Sequence, residues 1–243
     1  MLWFDPQARD FSIFKAESGK ESFVFKRVSR PSYNLILRHA ADFAGSRRLR
    51  LHVDCNDEEC LLVYPYFKTT LLQFIREESK LPEESQLSEA ERKKIMRHVG
   101  EAIQELHSKG WIHINIKPDS ILVSWICDEE GRKTITDVAL GDFDIAYKPE
   151  RGEPHQTPFP IGNVIWRSPE GQTGRGVTMA SDMYSYGLLF IYTFGGAGLL
   201  VLHDIQALAK TGISPEQEIV TRHFCYFGPV VPEGLLKQVD NED

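Results

Sequence analysis

The spacing of apolar and polar positions changes several times along the chain, and each change marks an element. Phe23-Val24-Phe25-Lys26-Arg27-Val28 alternates as a strand does. From Ser32 to Ala44 the spacing turns helical, with Leu35, Leu37, Ala40, Ala41 and Phe43 recurring on one side. Leu49–Val53 and Leu61–Tyr64 read as the two strands of a hairpin around the polar turn Asn56–Glu59. Leu71 to Ile75 starts a short helix, and residues 77–88 form a polar loop. Ser88 followed by Glu91 is a capping box, in which the two side chains satisfy free amides at a helix start. The helix it opens runs to about Lys109, keeps Ile95, Val99, Ile103 and Leu106 on one face, and stops at Gly110. Ile121–Ile126 and Thr134–Leu140 are strands joined by the turn Asp128–Arg132. A polar segment with prolines at 149, 154, 158 and 160 runs from Asp142 to Glu170. Ser181 to Phe194 is apolar nearly all round, the pattern of a buried helix.

Between these elements lie four short motifs in a fixed order: His113-Ile114-Asn115-Ile116-Lys117-Pro118-Asp119-Ser120, then Gly141-Asp142-Phe143-Asp144, then Ser168-Pro169-Glu170, then Asp182-Met183-Tyr184-Ser185-Tyr186-Gly187. At these spacings they resemble four landmarks of the protein kinases: the H-R-D-x-K-P-x-N catalytic loop, D-F-G, A-P-E and D-x-W-S-x-G. The resemblance runs from about Phe23 to Gly187 and is to the serine/threonine type. It implies an α+β, two-lobed fold, with a small β-rich N-terminal lobe and hinge over residues 1–67 and a mostly helical C-terminal lobe over residues 68–243. Set against that fold, the expectation is a truncated glycine-rich loop, since Gly19 is the sole glycine before Lys26, and a trimmed C-terminal lobe.

By this resemblance Lys26 would hold the α- and β-phosphates of ATP, and Asp42 stands nearest to the helix glutamate that normally pairs with that lysine. Pro65-Tyr66-Phe67 resembles the hinge, whose backbone would meet an adenine, and Leu122 would press on the adenine ring. Asp142 would hold Mg²⁺, and Ser120, in place of the family's Asn, would be the second and weaker metal ligand. Lys117 would sit by the γ-phosphate. Asp182 would hold the backbone of the catalytic loop. The departures are specific. Asn115 stands where the family has its catalytic Asp, so it can orient a hydroxyl but cannot take its proton. Ile114 replaces the arginine that grips an activation-segment phosphate, which leaves Thr157 without that anchor. Asp144 replaces the Gly of D-F-G. Asn163 stands where a threonine usually contacts the catalytic Asp, and an amide pair with Asn115 is one reading of it.

Composition narrows the function classes. The chain has 243 residues, 42% hydrophobic and 26% charged, the make-up of a packed globular protein. A net charge of −7 argues against sequence-independent binding to nucleic acid. The four cysteines fit no zinc pattern and suggest a reducing, intracellular setting, cytoplasmic or nuclear. The first residues lack the features of a signal peptide. Gly187 to Leu202 is shorter than the ~20 apolar residues of a membrane span and is interrupted by glycines. The expectation is a kinase-like domain with a weak ATP and Mg²⁺ site and impaired phosphoryl transfer, working as a regulatory or binding module toward a protein partner. A low-rate serine/threonine kinase, a small-molecule phosphotransferase and a nucleotide-free scaffold are the alternatives.

Overall fold

A computed structural model describes residues 13–19, 21–82, 86–150, 152–196 and 212–227. The chain forms two compact units, residues 1–87, 97–102 and 119–144 in the first, residues 88–96, 103–118 and 145–243 in the second. This partition groups the second hairpin with the N-terminal strands, where the sequence reading draws one boundary after Phe67.

In the first unit, β1 (Ile13–Ser18) and β2 (Glu21–Arg27) form an antiparallel hairpin that turns at Gly19, whose φ of 65° is the left-handed conformation a tight turn asks for. After β2 comes helix α1 (Arg30–Asp42), capped by Ser29, whose hydroxyl accepts from Ser32 N, and buried through Tyr33, Ile36 and His39. Then follow β3 (Asp54–Asn56) and β4 (Leu61–Pro65), and the sheet order is β1-β2-β4-β3. The strand expected over Leu49–Val53 is displaced. Those residues make a parallel bridge between Leu49 and Leu140 instead, and regular pairing begins only at Asp54. The reason is non-local: Arg50 N donates to Leu140 O at 2.7 Å and Leu140 N donates to Arg48 O at 2.8 Å, so this stretch is claimed by a partner far along the chain.

A second sheet, β5 (Thr69–Thr70), β6 (Ile121–Cys127) and β7 (Lys133–Leu140), is antiparallel in that order. Helix α2 spans Leu71–Glu78, and its last two residues lie inside the expected polar loop. Glu78 is buried because it has two partners, the Leu87 amide and the Lys133 ammonium, so a charge that would be costly alone is paired.

Helix α3 (Glu89–Ser108) starts where the capping box puts it, with Ser88 Oγ accepting from Glu91 N, and Ile95, Val99, Ile103 and Leu106 are buried along it. In the second unit a short hairpin, β8 (His155–Gln156) with β9 (Arg175–Val177), flanks α4 (Pro169–Thr173). Helix α5 (Met179–Ile191) begins at a reciprocal cap between Thr178 and Ser181. Its apolar sequence does not bury it all round: Met183 and Phe190 are 49% and 44% exposed, while Ser181, Asp182, Ser185, Leu188 and Leu189 face inward. Helix α6 spans Pro215–Phe227. The expected trimmed tail beyond it lies outside the described residues. The architecture is α+β, with a strand-rich first unit and a mostly helical second. No helix among the described residues is long and apolar enough to cross a membrane.

Candidate nucleotide and catalytic-loop sites

The chemistry-bearing residues fall into two clusters, one in each unit. In the first unit, alternation along β2 turns Lys26 toward a cavity of about 250 Å³, lined also by Val24, Tyr64, Ser120, Leu122, Asp142 and Asp144. Lys26 Nζ donates to Asp142 Oδ1 at 3.2 Å and to Asp144 Oδ2 at 2.5 Å. All three side chains are roughly a fifth to a third exposed, so the ions are partly shielded from water without being dry. The lysine is therefore held by the two acids after β7, and Asp42, at the last position of α1, is not among its partners. Asp144, read from sequence as a replacement of the Gly of D-F-G, supplies the closer of the two oxygens.

Asp142 is placed by its neighbours. Its φ of 68° is left-handed, a conformation Asp tolerates better than most residues. On one side Gly141 N donates to Ser120 O at 2.8 Å. On the other, the Phe143 ring is buried and stacks on His39 of α1 at 4.0 Å between centroids. Ser120 is fully buried at the end of a short 3-10 turn, Pro118–Ser120, and lines the same cavity as Asp142. Leu122 lines it from β6. Lys26, Leu122, Ser120 and Asp142 thus line one cavity, and Asp42 is not among its lining residues.

The donors present fit a hard cation. Asp142 and Asp144 offer carboxylate oxygens, and Asp144 Oδ1 is buried without a hydrogen-bond partner. Among the described residues no group of three or more His, Cys, Asp or Glu gathers to hold a metal by protein ligands alone. That is the usual situation for Mg²⁺, which arrives with phosphate and keeps its waters.

In the second unit the loop after α3 is built on one carboxylate. Asp182, 1% exposed, accepts from His113 N through Oδ2 at 2.8 Å and from Ile114 N through Oδ1 at 2.8 Å, and His107 Nε2 donates to Oδ2 at 2.9 Å. Ile114 has a φ of 69°, a strained conformation for a β-branched residue. The grip of Asp182 on its amide holds it there. So does Gly162, which packs so close that an added Cβ would lie 2.5 Å from Ile114 O. His113 is buried, and its Nδ1 accepts from Asn115 N at 3.2 Å. From Ile114 to Pro118 burial alternates, so Asn115 and Lys117 carry the half-exposed side chains of the loop between buried Ile114, Ile116 and Pro118. The suggested Asn115–Asn163 amide pair is not formed. Asn163 Oδ1 accepts from Ile165 N at 3.1 Å and closes a local turn.

Sequence reasoning missed three contributors. His107 was read only as part of a helix, Asp144 only as a lost glycine, and Arg50 as a strand residue. Arg50 lines the Lys26 cavity, and its Nη2 donates to Pro65 O at 3.3 Å. An arginine set between Leu49 and Leu51 was the available signal.

Comparison with known proteins places this geometry. Residues 48–224 match the family model of the protein kinase domain, which leaves Lys26 outside the matched stretch. A probable L-type lectin-domain containing receptor kinase of Arabidopsis thaliana is 32% identical over 194 residues, 74% of this chain and 27% of that protein. The serine/threonine-protein kinase mos of Patiria pectinifera is 28% identical over 173 residues, 67% of this chain and 45% of that one. The chain therefore spans less than half the length of these relatives. Among solved structures, the CAK complex from Chaetomium thermophilum bound to ATP-gamma-S contains a chain that matches with a TM-score of 0.66 at 19% identity, covering 96% of this chain and 75% of that one, a likeness of fold. With the family model covering well over half of its length, the chain belongs to the protein kinase domain family.

Proposed function

We propose that this chain is a kinase-fold regulatory module with a weak ATP and Mg²⁺ site and impaired phosphoryl transfer, acting on or with a protein partner inside the cell. The observation that carries the reading is the ion trio of Lys26, Asp142 and Asp144. The lysine that would grip phosphates is neutralised by two carboxylates of its own chain, at 3.2 and 2.5 Å. A nucleotide phosphate has to displace at least one of them, and that exchange costs affinity.

Asp142 and Asp144, with Ser120 through its hydroxyl, would hold Mg²⁺. A bound Mg²⁺ would supply positive charge that offsets the charge of the phosphates. The rest falls to the chain's own groups. Lys26, once released, neutralises phosphate charge. Lys117 offers a second cation on the catalytic loop. Asn115 orients a hydroxyl by accepting its proton in a hydrogen bond, but the proton stays on the hydroxyl, because a carboxamide is not a base at neutral pH. A general base typically contributes ~10²–10⁴-fold. At 1.36 kcal/mol per decade its loss raises the barrier by about 3–5 kcal/mol. Such a protein is a poor catalyst rather than an inert one. A nucleotide-free scaffold is the second reading, favoured by the cavity volume of about 250 Å³, which falls below the ~300–1,000 Å³ of ordinary small-molecule pockets.

The test is phosphoryl transfer to a generic protein substrate by wild type, Asn115→Asp and Asn115→Asp/Ser120→Asn. The expected order is lowest for wild type and highest for the double variant, with part of the ~10²–10⁴ recovered by the carboxylate. Wild-type turnover at the ~1–100 s⁻¹ of ordinary kinases would end the impaired reading. No gain in either variant, together with no MgATP-dependent melting shift, would hand the case to the scaffold.

A further inference from the structure

The cavity around Lys26 holds a second cation whose place in it the family resemblance does not account for. Arg50 lines it, and its position is fixed at several points. Its backbone amide is tied to Leu140 O at 2.7 Å, so the Cα cannot withdraw. Its stem packs on Gly141, where Leu122 also comes close: a Cβ built at Gly141 would meet Arg50 Cδ at 3.3 Å, Arg50 Cβ at 3.4 Å and Leu122 Cδ1 at 3.4 Å. Its guanidinium lies over the Tyr64 ring, 4.8 Å from the centroid. From there Nη2 donates to the carbonyl of Pro65, at the end of β4, in the segment that resembles the hinge. Arg50 also lines a second cavity of about 750 Å³, bounded by Ala40, Ala44, Leu51, Phe67 and Ala139. Arg50 thus borders both spaces.

This arrangement costs something. Arg50 Nε is buried without a hydrogen-bond partner, and burial pulls the guanidinium below its ordinary pKa despite the opposing pull of Tyr64 and Asp142. A small apolar side chain would fill the same floor without that desolvation penalty. The guanidinium does, however, engage a carbonyl acceptor of the hinge-like segment. Resting on the reading of the cavity as a nucleotide site, we infer that Arg50 is a specificity-determining residue: by engaging the Pro65 carbonyl and lying against Gly141, it competes with a purine's 6-amino group for that acceptor and weakens the hold on adenine.

The test compares binding of adenosine and of purine riboside, which lacks the 6-amino group, to wild type, Arg50→Val and Arg50→Met by calorimetry, with the fold of each checked by circular dichroism. Wild type is expected to bind adenosine no better than purine riboside. Arg50→Val should bind adenosine at least tenfold more tightly than wild type does, with a preference over purine riboside that wild type lacks. Arg50→Met keeps most of the stem but cannot donate, so it should regain the preference for adenosine with a smaller gain in affinity. It decides the matter if Arg50→Val does not fold. Equal adenosine affinity in wild type and a folded variant overturns the inference, as does a tenfold adenosine preference in wild type. The two readings fail separately. A folded Arg50→Val that shows no gain while Asn115→Asp still gains activity removes only the role of Arg50. One that binds adenosine tightly and transfers phosphate at an ordinary rate with Asn115 intact removes only the impaired-catalysis reading.

Discussion

Asp182→Asn is the substitution whose cost the geometry lets one work out most directly. The native carboxylate accepts from His113 N and His107 Nε2 on one oxygen and from Ile114 N on the other, and it is buried. An asparagine of nearly the same shape can keep its oxygen toward the first pair, but its NH₂ then faces the Ile114 amide, donor against donor. Leaving that buried amide unsatisfied costs about 1–3 kcal/mol, and the two surviving bonds fall from charged to neutral strength, about 1 kcal/mol each. The total is about 3–5 kcal/mol, a large share of the ~5–15 kcal/mol that holds a domain folded. For a chain of this size each kcal/mol moves the melting point by roughly 2–4 °C, so a fall on the order of 6–20 °C is expected. Calorimetry gives that number, and hydrogen exchange locates it: the His113, Ile114 and Asn115 amides should lose protection first, because the carboxylate bond that helps hold Ile114 at its left-handed φ is gone. A melting point within about 2 °C of wild type, with exchange at these amides unchanged, would refute the argument that one carboxylate organises the loop.

Gly162→Ala should destabilise more than Gly176→Ala by about 1–3 kcal/mol in chemical denaturation, since both have positive φ but only the first brings a Cβ to 2.5 Å from a backbone oxygen, while the second meets nothing within 4 Å. Equal costs would mean that the loop carrying Gly162 can step aside. Stability should also fall with acid. Burial pushes the His223 imidazole down to about 4, so between that value and the ~6.5 of an exposed histidine the unfolded chain binds the extra proton. The contribution is complete above about pH 6.5 and is lost as pH falls toward 4, up to about 3 kcal/mol for this group. His223→Phe should flatten the pH dependence in that window, and an unchanged slope would assign it to other groups.

What could be read from the sequence was decided locally. The Ser88 cap, the face Ile95-Val99-Ile103-Leu106 and the stop at Gly110 need only neighbours in the chain, and α3 formed as they require. The order of the motifs pointed to the family, and the place of Asp182 beneath the loop followed from that resemblance rather than from its neighbours in the chain. What was illegible depends on partners distant in sequence. Leu49–Val53 has strand residues, yet the Leu140 carbonyl and amide claim it before a regular strand can form. The partner of Lys26 was sought on α1 at Asp42, whereas the acids that reach it come 116 and 118 residues later. Arg50 was read only as a strand residue, because alternation says which face a residue takes, not whether that face is covered. In α5, composition counted Met183 and Phe190 as buried, and only packing shows which side of an apolar helix has neighbours.

The first unit is discontinuous in the chain: its sheet residues before 88 are completed by residues 119–144, after an excursion that belongs mostly to the other unit. This fixes an order of assembly. A ribosome adding ~5–20 residues per second delivers β1 to β4 several seconds before β7 exists. During that interval Lys26 has neither of its acids, Glu78 lacks its lysine, and the Arg48 and Arg50 backbone has no Leu140 to bond. Closing these contacts means closing loops of up to 118 residues, the slow, entropically costly kind of step. A chain interrupted before Gly141 is therefore a nascent species with open strand edges and unpaired charges, dependent on chaperones, rather than a smaller version of the domain. Alternative transcripts or engineered fragments that cut between residues 88 and 140 should yield aggregates, and a boundary useful for dissecting this protein has to keep residue 144 with residue 26.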